Sequence, residues 1–256
     1  MVTYLLKKSY QHKTLKEVNF KDLWGDKGVF TTMRILGKPA KILFFKNHIK
    51  NLIKSLKVYK LNRTNIKKDI LKLIKLNIDK NKSYNHLLRV AINKKIISVS
   101  LRDRKTPKLK FNLKLIDHKR EDPELKNLKY KFILKYLSKM DNTTSDVGLC
   151  YRKRILESGT SNIFLIKKNK IYSPLKNIYR GVTYNFFKEK LGKIINKEIL
   201  VNSLNDYDEI LLIGSGKAVT SVETIKEINW KRNSLKYYKK LFDFYKKEIL
   251  NCSVYK

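Results

Sequence analysis

Prolines and glycines are scarce in this chain: four Pro and nine Gly in 256 residues. No internal repeat and no low-complexity linker breaks it up. Cysteine is nearly absent, and Cys150 and Cys252 are too few for a disulfide framework and fit no metal-ligand spacing. No apolar run approaches the ~18–20 residues that a membrane-spanning helix needs. The first residues, Met1 to Lys8, carry neither the apolar stretch nor the small-residue cleavage site of a secretory signal, so a cytoplasmic protein is expected. Motifs are missing too: there is no Gly-x-Ser-x-Gly, no P-loop and no dinucleotide fingerprint, which removes the commonest hydrolase and nucleotide-binding readings. Histidines 12, 48, 86 and 118 are scattered, with no pair at metal spacing. Acidic residues are outnumbered, 22 against 59 basic, for a formal charge of +37.

What is present describes a globular protein. Hydrophobic residues make up 42%, enough for a core, and the length allows one or two domains. The charge has two readings. Strong basicity accompanies binding to nucleic acid or anionic membranes. Alternatively, the abundance of Lys, Ile, Asn and Tyr reflects drift toward AT-rich codons. The basic residues are spread along the whole length, which argues against a nucleic-acid-binding protein, whose phosphate contacts would gather on one face.

Strands are expected at 3–7, at 28–36 and at 40–45, the last two joined by the turn Gly37-Lys38-Pro39. Asn47 can cap a helix through Tyr59, with Ile49, Leu52, Ile53 and Leu56 at helical spacing. A second amphipathic helix is expected over 64–78, followed by strands at 87–93, 96–102 and 108–116. Polar Asp117 to Pro123 is the best boundary, giving an α+β domain over 1–117 and a larger β-rich domain with helices over 118–256. In the second part Leu125 to Met140 has helical spacing. Strands at 146–151, 162–167, 170–173 and 209–213, a helix over 183–195, strands near 218–230 and a helix over 234–250 complete it.

Three features could together hold a phosphorylated, nitrogen-containing ring. Gly181-Val182-Thr183 opens a helix, where free N–H groups and the helix dipole favour an anion. Gly214-Ser215-Gly216 follows an apolar strand, where small residues allow close backbone approach and Ser215 offers a hydroxyl. Each also reads as ordinary turn punctuation. Glu157 is either a strand-terminal acid among Arg152, Lys153 and Arg154 or a carboxylate that pairs with a protonated ring nitrogen. A nucleophilic lysine must lose its proton near neutral pH. Lys126 has apolar neighbours and a following tyrosine, but Lys129, Lys131 and Lys135 look similar. His48 reads as a structural polar contact before a catalyst.

In order along the chain, these residues resemble one family. Gly25-Asp26-Lys27-Gly28-Val29-Phe30-Thr31-Thr32-Met33-Arg34 resembles a Gly-Asp-Gly-x-Phe-[Glu/Thr]-Thr-x-Arg strand with one residue inserted. Asn47-His48-Ile49 with Leu52 resembles a His-x-x-Arg-Leu helix. Lys126 to Tyr130 resembles a Lys-x-x-x-[Arg/Tyr] segment, and Leu156 to Phe164 a Glu-small-x-x-x-Asn-[Ile/Leu]-Phe block. Gly181-Val182-Thr183 resembles Gly-Ile-Thr, and Asp208 through Val222 a final strand and phosphate loop. The family is the fold-type IV pyridoxal-phosphate enzymes, or class IV aminotransferases: branched-chain and D-amino-acid aminotransferases and 4-amino-4-deoxychorismate lyase.

The resemblance implies a two-domain fold. It has a small N-terminal α/β-sandwich domain and a larger β-barrel-like domain with flanking helices, with the active site between them and the chain paired as a homodimer. It also implies roles. Lys126 would be the Schiff-base lysine and proton shuttle, favoured over Lys129 by its spacing to Asp146. Glu157 would hold the pyridine nitrogen protonated, Tyr130 would bond the ring's phenolic oxygen, and Val182, Thr183, Gly214 and Ser215 would bind the phosphate. The family's phosphate arginine falls on Asn51 here, so Lys50 or Lys54 would have to supply a substitute charge, the alternative being a relative that binds the cofactor poorly. Thr31 separates the branches: aminotransferases usually carry Glu there and some lyases carry Thr-Thr. The implied activity is elimination of pyruvate from 4-amino-4-deoxychorismate to give 4-aminobenzoate for folate synthesis, with Thr31 near the leaving group. Amino-acid aminotransfer is the alternative, with Arg34, Arg89, Arg102 and Arg104 as possible carboxylate anchors. No membrane partner is expected.

Overall fold

The computed structural model describes residues 3–255, which form two compact units. The first unit takes the chain up to Arg104, the segment Leu125–Lys131 and the residues from Asn251 onward. Its strands are β1 (Tyr4–Gln11), β2 (Glu17–Val18), β3 (Gly28–Gly37), β4 (Lys41–Ile42), β5 (Tyr84–Asn93) and β6 (Ile96–Asp103), in the order β2-β1-β6-β5-β3-β4. Helices α1 (Phe45–Val58) and α2 (Ile66–Asn77) bury their apolar stripes on this sheet. Val29, Met33 and Ile35 of β3, Val90 and Ile92 of β5, and Leu52, Leu56, Ile70, Leu73 and Ile74 of the helices share that core. Alternation along β3 sorts its side chains between two faces. Thr31 falls on the helix-facing side with Val29 and Met33, and Phe30 on the other.

The second unit takes Lys105–Glu124 and Phe132–Leu250. It has β7 (Asn112–Asp117), a short helix α3 (Lys131–Leu137), β8 (Ser145–Tyr151), β9 (Arg154–Ser158), β10 (Asn162–Lys167) and β11 (Lys170–Pro174). After these come α4 (Val182–Leu191), β12 (Ile195–Lys197), β13 (Glu209–Gly214), β14 (Ala218–Ser221), β15 (Thr224–Ile225), β16 (Trp230–Lys231) and α5 (Lys236–Asn251). Two five-stranded sheets, β12-β11-β10-β13-β14 and β16-β15-β7-β8-β9, enclose one core that includes Phe111, Leu113, Ile155, Ile163, Leu165, Ile210, Leu212 and Trp230. The architecture is α+β. None of the described helices is long and apolar enough to cross a membrane.

Most expected elements form within a few residues of their expected ends, and three differ. The strand expected at 40–45 is only Lys41–Ile42, because the chain turns at Phe44, in the left-handed region (φ 55°), and α1 starts at Phe45. The strand expected at 108–116 runs Asn112–Asp117 and pairs in parallel with β8, Leu113 opposite Asp146, rather than with β6. The helix expected over Leu125 to Met140 shrinks to Lys131–Leu137. Its first residues are extended because β3 takes their hydrogen bonds: Phe30 N–H donates to Lys126 O at 2.9 Å, and Leu128 N–H to Gly28 O at 2.9 Å. Gly28 is required there, since a Cβ would lie 2.4 Å from Ile92 O and 2.7 Å from Leu128 Cδ1.

Candidate active site

In the first unit, the backbone bonds that straighten Lys126–Leu128 fix Lys126 beside β3. Its Nζ lies 4.6 Å from the centroid of the Phe30 ring. Phe30, Trp24 and Tyr130 pack edge to face or tilted, with ring centroids 4.8 to 5.8 Å apart. Lys126 and Lys129 are half-buried, whereas Lys131 and Lys135 are exposed. On the other face of β3, the Thr31 hydroxyl and His48 Nδ1 are 2.8 Å apart, both buried. Burial, and then the charge of Lys126, hold the His48 imidazole neutral, its pKa pushed down from 6.5 to about 3. His48 is therefore a fixed polar contact to Thr31 and cannot carry a proton near neutral pH.

Along α1, Asn51 lies on the same side as His48, one turn on, and is half-buried. Lys50 is exposed and starts roughly 200° round the helix from His48. Lys54 is exposed as well. Of the candidate anchors, Arg89 is buried, ion-paired to Asp22, with its guanidinium 4.5 Å from the Trp24 ring centroid. The register places Thr32 opposite Arg89, and Arg34 and Arg102 each opposite Leu87. Directly paired residues share a face, so Arg34, Arg89 and Arg102 lie on the sheet face away from Thr31. Arg104 is buried just beyond β6.

In the second unit, Glu157 sits near the end of β9, buried. Its Oε1 accepts from Arg120 Nε at 2.6 Å and its Oε2 from Tyr179 N–H at 3.3 Å. Arg120 is itself fully buried and donates Nη2 to Pro123 O at 2.5 Å. The partner of Glu157 is thus Arg120, not the neighbouring Arg152, Lys153 or Arg154. A buried carboxylate left without this guanidinium would be costly, so the pair holds both side chains in place.

Asn162, the first residue of β10, ties this strand to the start of α4. Its Nδ2 donates to Tyr179 O at 2.6 Å, and its Oδ1 accepts from Gly181 N–H at 3.0 Å. No side chain caps α4, so its first N–H groups point out with the positive end of the helix. Thr183 Oγ1 and Ser161 Oγ are buried and have no hydrogen-bond partner among the described residues. Gly214 lies against Ser161, and a Cβ there would be 2.8 Å from Ser161 Oγ.

A buried acid holds the two loops in place. Asp146, fully buried, accepts from Thr160 Oγ1 at 2.6 Å and Ser158 Oγ at 3.3 Å, with Lys217 Nζ at 3.9 Å. Lys217 also donates to Asn142 O at 2.9 Å. Ser158–Ser161 and Gly214–Lys217 therefore share one polar anchor. Within this unit Glu157, Val182, Thr183, Gly214 and Ser215 fall on neighbouring segments. Arg120, Asn162, Ser161 and Lys217 were not singled out by sequence. Only Asn162 had a signal, as the Asn of the Glu157-to-Phe164 block. Among the described residues no cluster of His, Cys, Asp or Glu could hold a metal ion.

Comparison with known proteins adds a family to this geometry. Residues 28–225 match the family described as amino-transferase class IV. No curated protein matches by sequence. Among solved structures, the branched-chain aminotransferase of Thermoproteus uzoniensis with norvaline superposes with a TM-score of 0.77 at 15% identity, covering 95% of each chain. The branched-chain aminotransferase of Thermobaculum terrenum in its pyridoxal-phosphate form gives 0.74 at 15% identity, covering 95% of this chain and 94% of that one. A provisionally named 4-amino-4-deoxychorismate lyase of Legionella pneumophila gives 0.69 at 17% identity, covering 87% and 91%. At such identities the likeness is one of fold.

Proposed function

Because the chain belongs to the class IV aminotransferases, we propose that it is a pyridoxal-phosphate-dependent lyase. It eliminates pyruvate from 4-amino-4-deoxychorismate and leaves 4-aminobenzoate, a precursor of folate. The observation that carries the lyase reading is Thr31. Where the aminotransferase branch usually has a glutamate, β3 offers a buried hydroxyl held at 2.8 Å by a neutral His48.

The residues fit the cofactor. A phosphate needs hydroxyls and N–H groups that have no other partner, and α4 begins with uncapped N–H groups beside the unpartnered Thr183 and Ser161 hydroxyls. The missing Cβ of Gly214 leaves room next to Ser161. We assign the phosphate to Val182, Thr183, Gly214 and Ser215, with Lys50 the nearest cation in sequence to the Asn51 position. Glu157, oriented by Arg120, is assigned the ring nitrogen, and Tyr130 is assigned the ring's phenolic oxygen.

Pyridoxal phosphate, when bound, supplies an electron sink for negative charge at the amine-bearing carbon. Lys126 would hold the cofactor through Nζ. Lys126 Nζ would take the proton from that carbon. Thr31, on the face of β3 opposite the Phe30 ring beside Lys126, is assigned the indirect role of fixing the strand near the leaving group through His48, and the proton held on Lys126 returns to the three-carbon fragment, which leaves as pyruvate. Atoms and charge balance without an oxidant. We propose a homodimer in the cytoplasm as the working form, on the strength of the family resemblance.

The test is a pair of assays on the cofactor-loaded chain. Pyruvate and 4-aminobenzoate released in equal amounts support the lyase. Transfer of an amino group from an amino acid to a keto acid, with no pyruvate release, replaces it with the aminotransferase reading.

A further inference from the structure

The second unit contains a cleft of about 370 Å³ made of residues that the proposed reaction does not use. Its floor is apolar: Ile155, Leu156, Pro174 and Ile199 are all buried. Its rim is cationic, with Lys119, Arg152 and Lys176 exposed and Arg154 half-buried. These four cations come from three stretches of chain, with Arg152 and Arg154 on one of them. Arg152 lies on the β8–β9 turn, where Arg152 and Lys153 both take positive φ (50° and 60°). Tyr151 stands among them, with Lys119 Nζ 5.1 Å and the Arg152 guanidinium carbon 5.2 Å from its ring centroid.

A single carboxylate balances the group. Glu198 accepts from Arg154 Nε and Lys176 Nζ, both at 2.7 Å, and these two partners hold its carboxyl below the ordinary range. Four cations against one acid leave a strong local excess. It stands over a non-polar floor, beside an aromatic face that accepts a flat ring or a cation. Bringing like charges together is unfavourable for the empty protein, so an occupant that neutralises them is favoured.

We propose that this cleft is a binding site for a small, multiply charged anion with a planar body, separate from the phosphate cradle at α4. The charge could come from phosphates, as in a nucleotide, or from several carboxylates on an aromatic ring. The strand that lines the floor, Arg154–Leu156, runs directly into Glu157, and the rim segment Pro174–Asn177 runs into Tyr179, whose N–H meets Glu157.

The test uses calorimetric titration of the full chain at about 0.15 M salt, where exposed charges more than about 8 Å apart are largely screened. The probes are ATP for the phosphate source and benzenetricarboxylate for the carboxylate source. One of them saturates at one per chain and so assigns the source. Arg152→Glu with Lys176→Glu weakens that probe at least tenfold. Lys239→Glu with Lys240→Glu, an equal charge change on exposed positions of α5, alters it less than twofold. Glu198→Gln releases Arg154 and Lys176 and tightens binding several-fold. All these positions lie on the surface, and circular dichroism checks that each variant is folded. Equal weakening by the two double variants would mean that net charge alone is read, and failure of both probes to saturate overturns the site outright.

Discussion

Acid should unfold this protein partly through one histidine. His48 is fully buried, and its pKa falls from 6.5 to about 3. Below its ordinary value the unfolded chain binds a proton that the folded chain refuses. The contribution is therefore absent above about pH 6.5, and stability is lost as the pH falls, until the folded value near 3 is reached. The loss is about 1.4 kcal/mol for each pH unit. That amounts to about 2 kcal/mol near pH 5 and has a ceiling of about 5 kcal/mol. His48→Gln keeps an amide within reach of Thr31 and removes the titrating group. Urea unfolding of both proteins without cofactor, near pH 7 and near pH 5, measures the effect. The original chain should lose about 2 kcal/mol more than the variant across that interval. His12 and His118, whose values burial also lowers, act in both proteins and cancel. An equal loss in the two would show that His48 is protonated in the folded state and would refute the neutral Thr31–His48 pair.

Other expectations concern single contacts. Glu209 is fully buried and caps α5, accepting from Tyr237 N–H at 2.7 Å, Tyr238 N–H at 2.8 Å and Ser234 Oγ at 2.9 Å. Glu209→Ala should therefore cost about 3 kcal/mol in urea unfolding, and a loss below about 1 kcal/mol would deny the cap its role. Arg120→Met strands the buried carboxylate of Glu157, so it should destabilise the cofactor-free chain by about 3–5 kcal/mol, whereas Arg120→Met with Glu157→Leu should recover most of that loss. Gly214→Ala places a methyl 2.8 Å from Ser161 Oγ, so fluorescence titration should show cofactor affinity at least tenfold weaker with the fold intact. Unchanged affinity would remove the phosphate from this turn.

Local pattern carried much of this molecule. The apolar stripes of α1 and α2 and the alternation of β3 are short-range signals, and the glycine-opened helix α4 and the Gly214 turn appear where small residues require them. What escaped was long-range. Leu125 to Leu128 have helical spacing, yet β3 recruits their backbone, and tertiary hydrogen bonds outweigh a propensity of a few tenths of a kcal/mol per residue. Strand β7 follows β6 in sequence but pairs with β8, a choice that hydrophobic pattern alone does not encode. The polar run that read as a boundary contains Arg120, the partner of Glu157 across 37 positions. Nothing in its immediate neighbours distinguishes it from the other basic residues. Glu209 is an ordinary strand acid in sequence and Asp146 entered there only through its spacing to Lys126, and only the fold shows that Asp146 anchors two loops and Glu209 caps a helix.

Lys126, one lysine among the chain's many, is proposed to carry the cofactor. Borohydride reduction of the loaded protein, followed by peptide mapping, tests it directly. One retained cofactor per chain is expected, on the peptide containing Lys126, and none on Lys126→Ala. Retention on other lysines, or equal labelling of the variant, would contradict it.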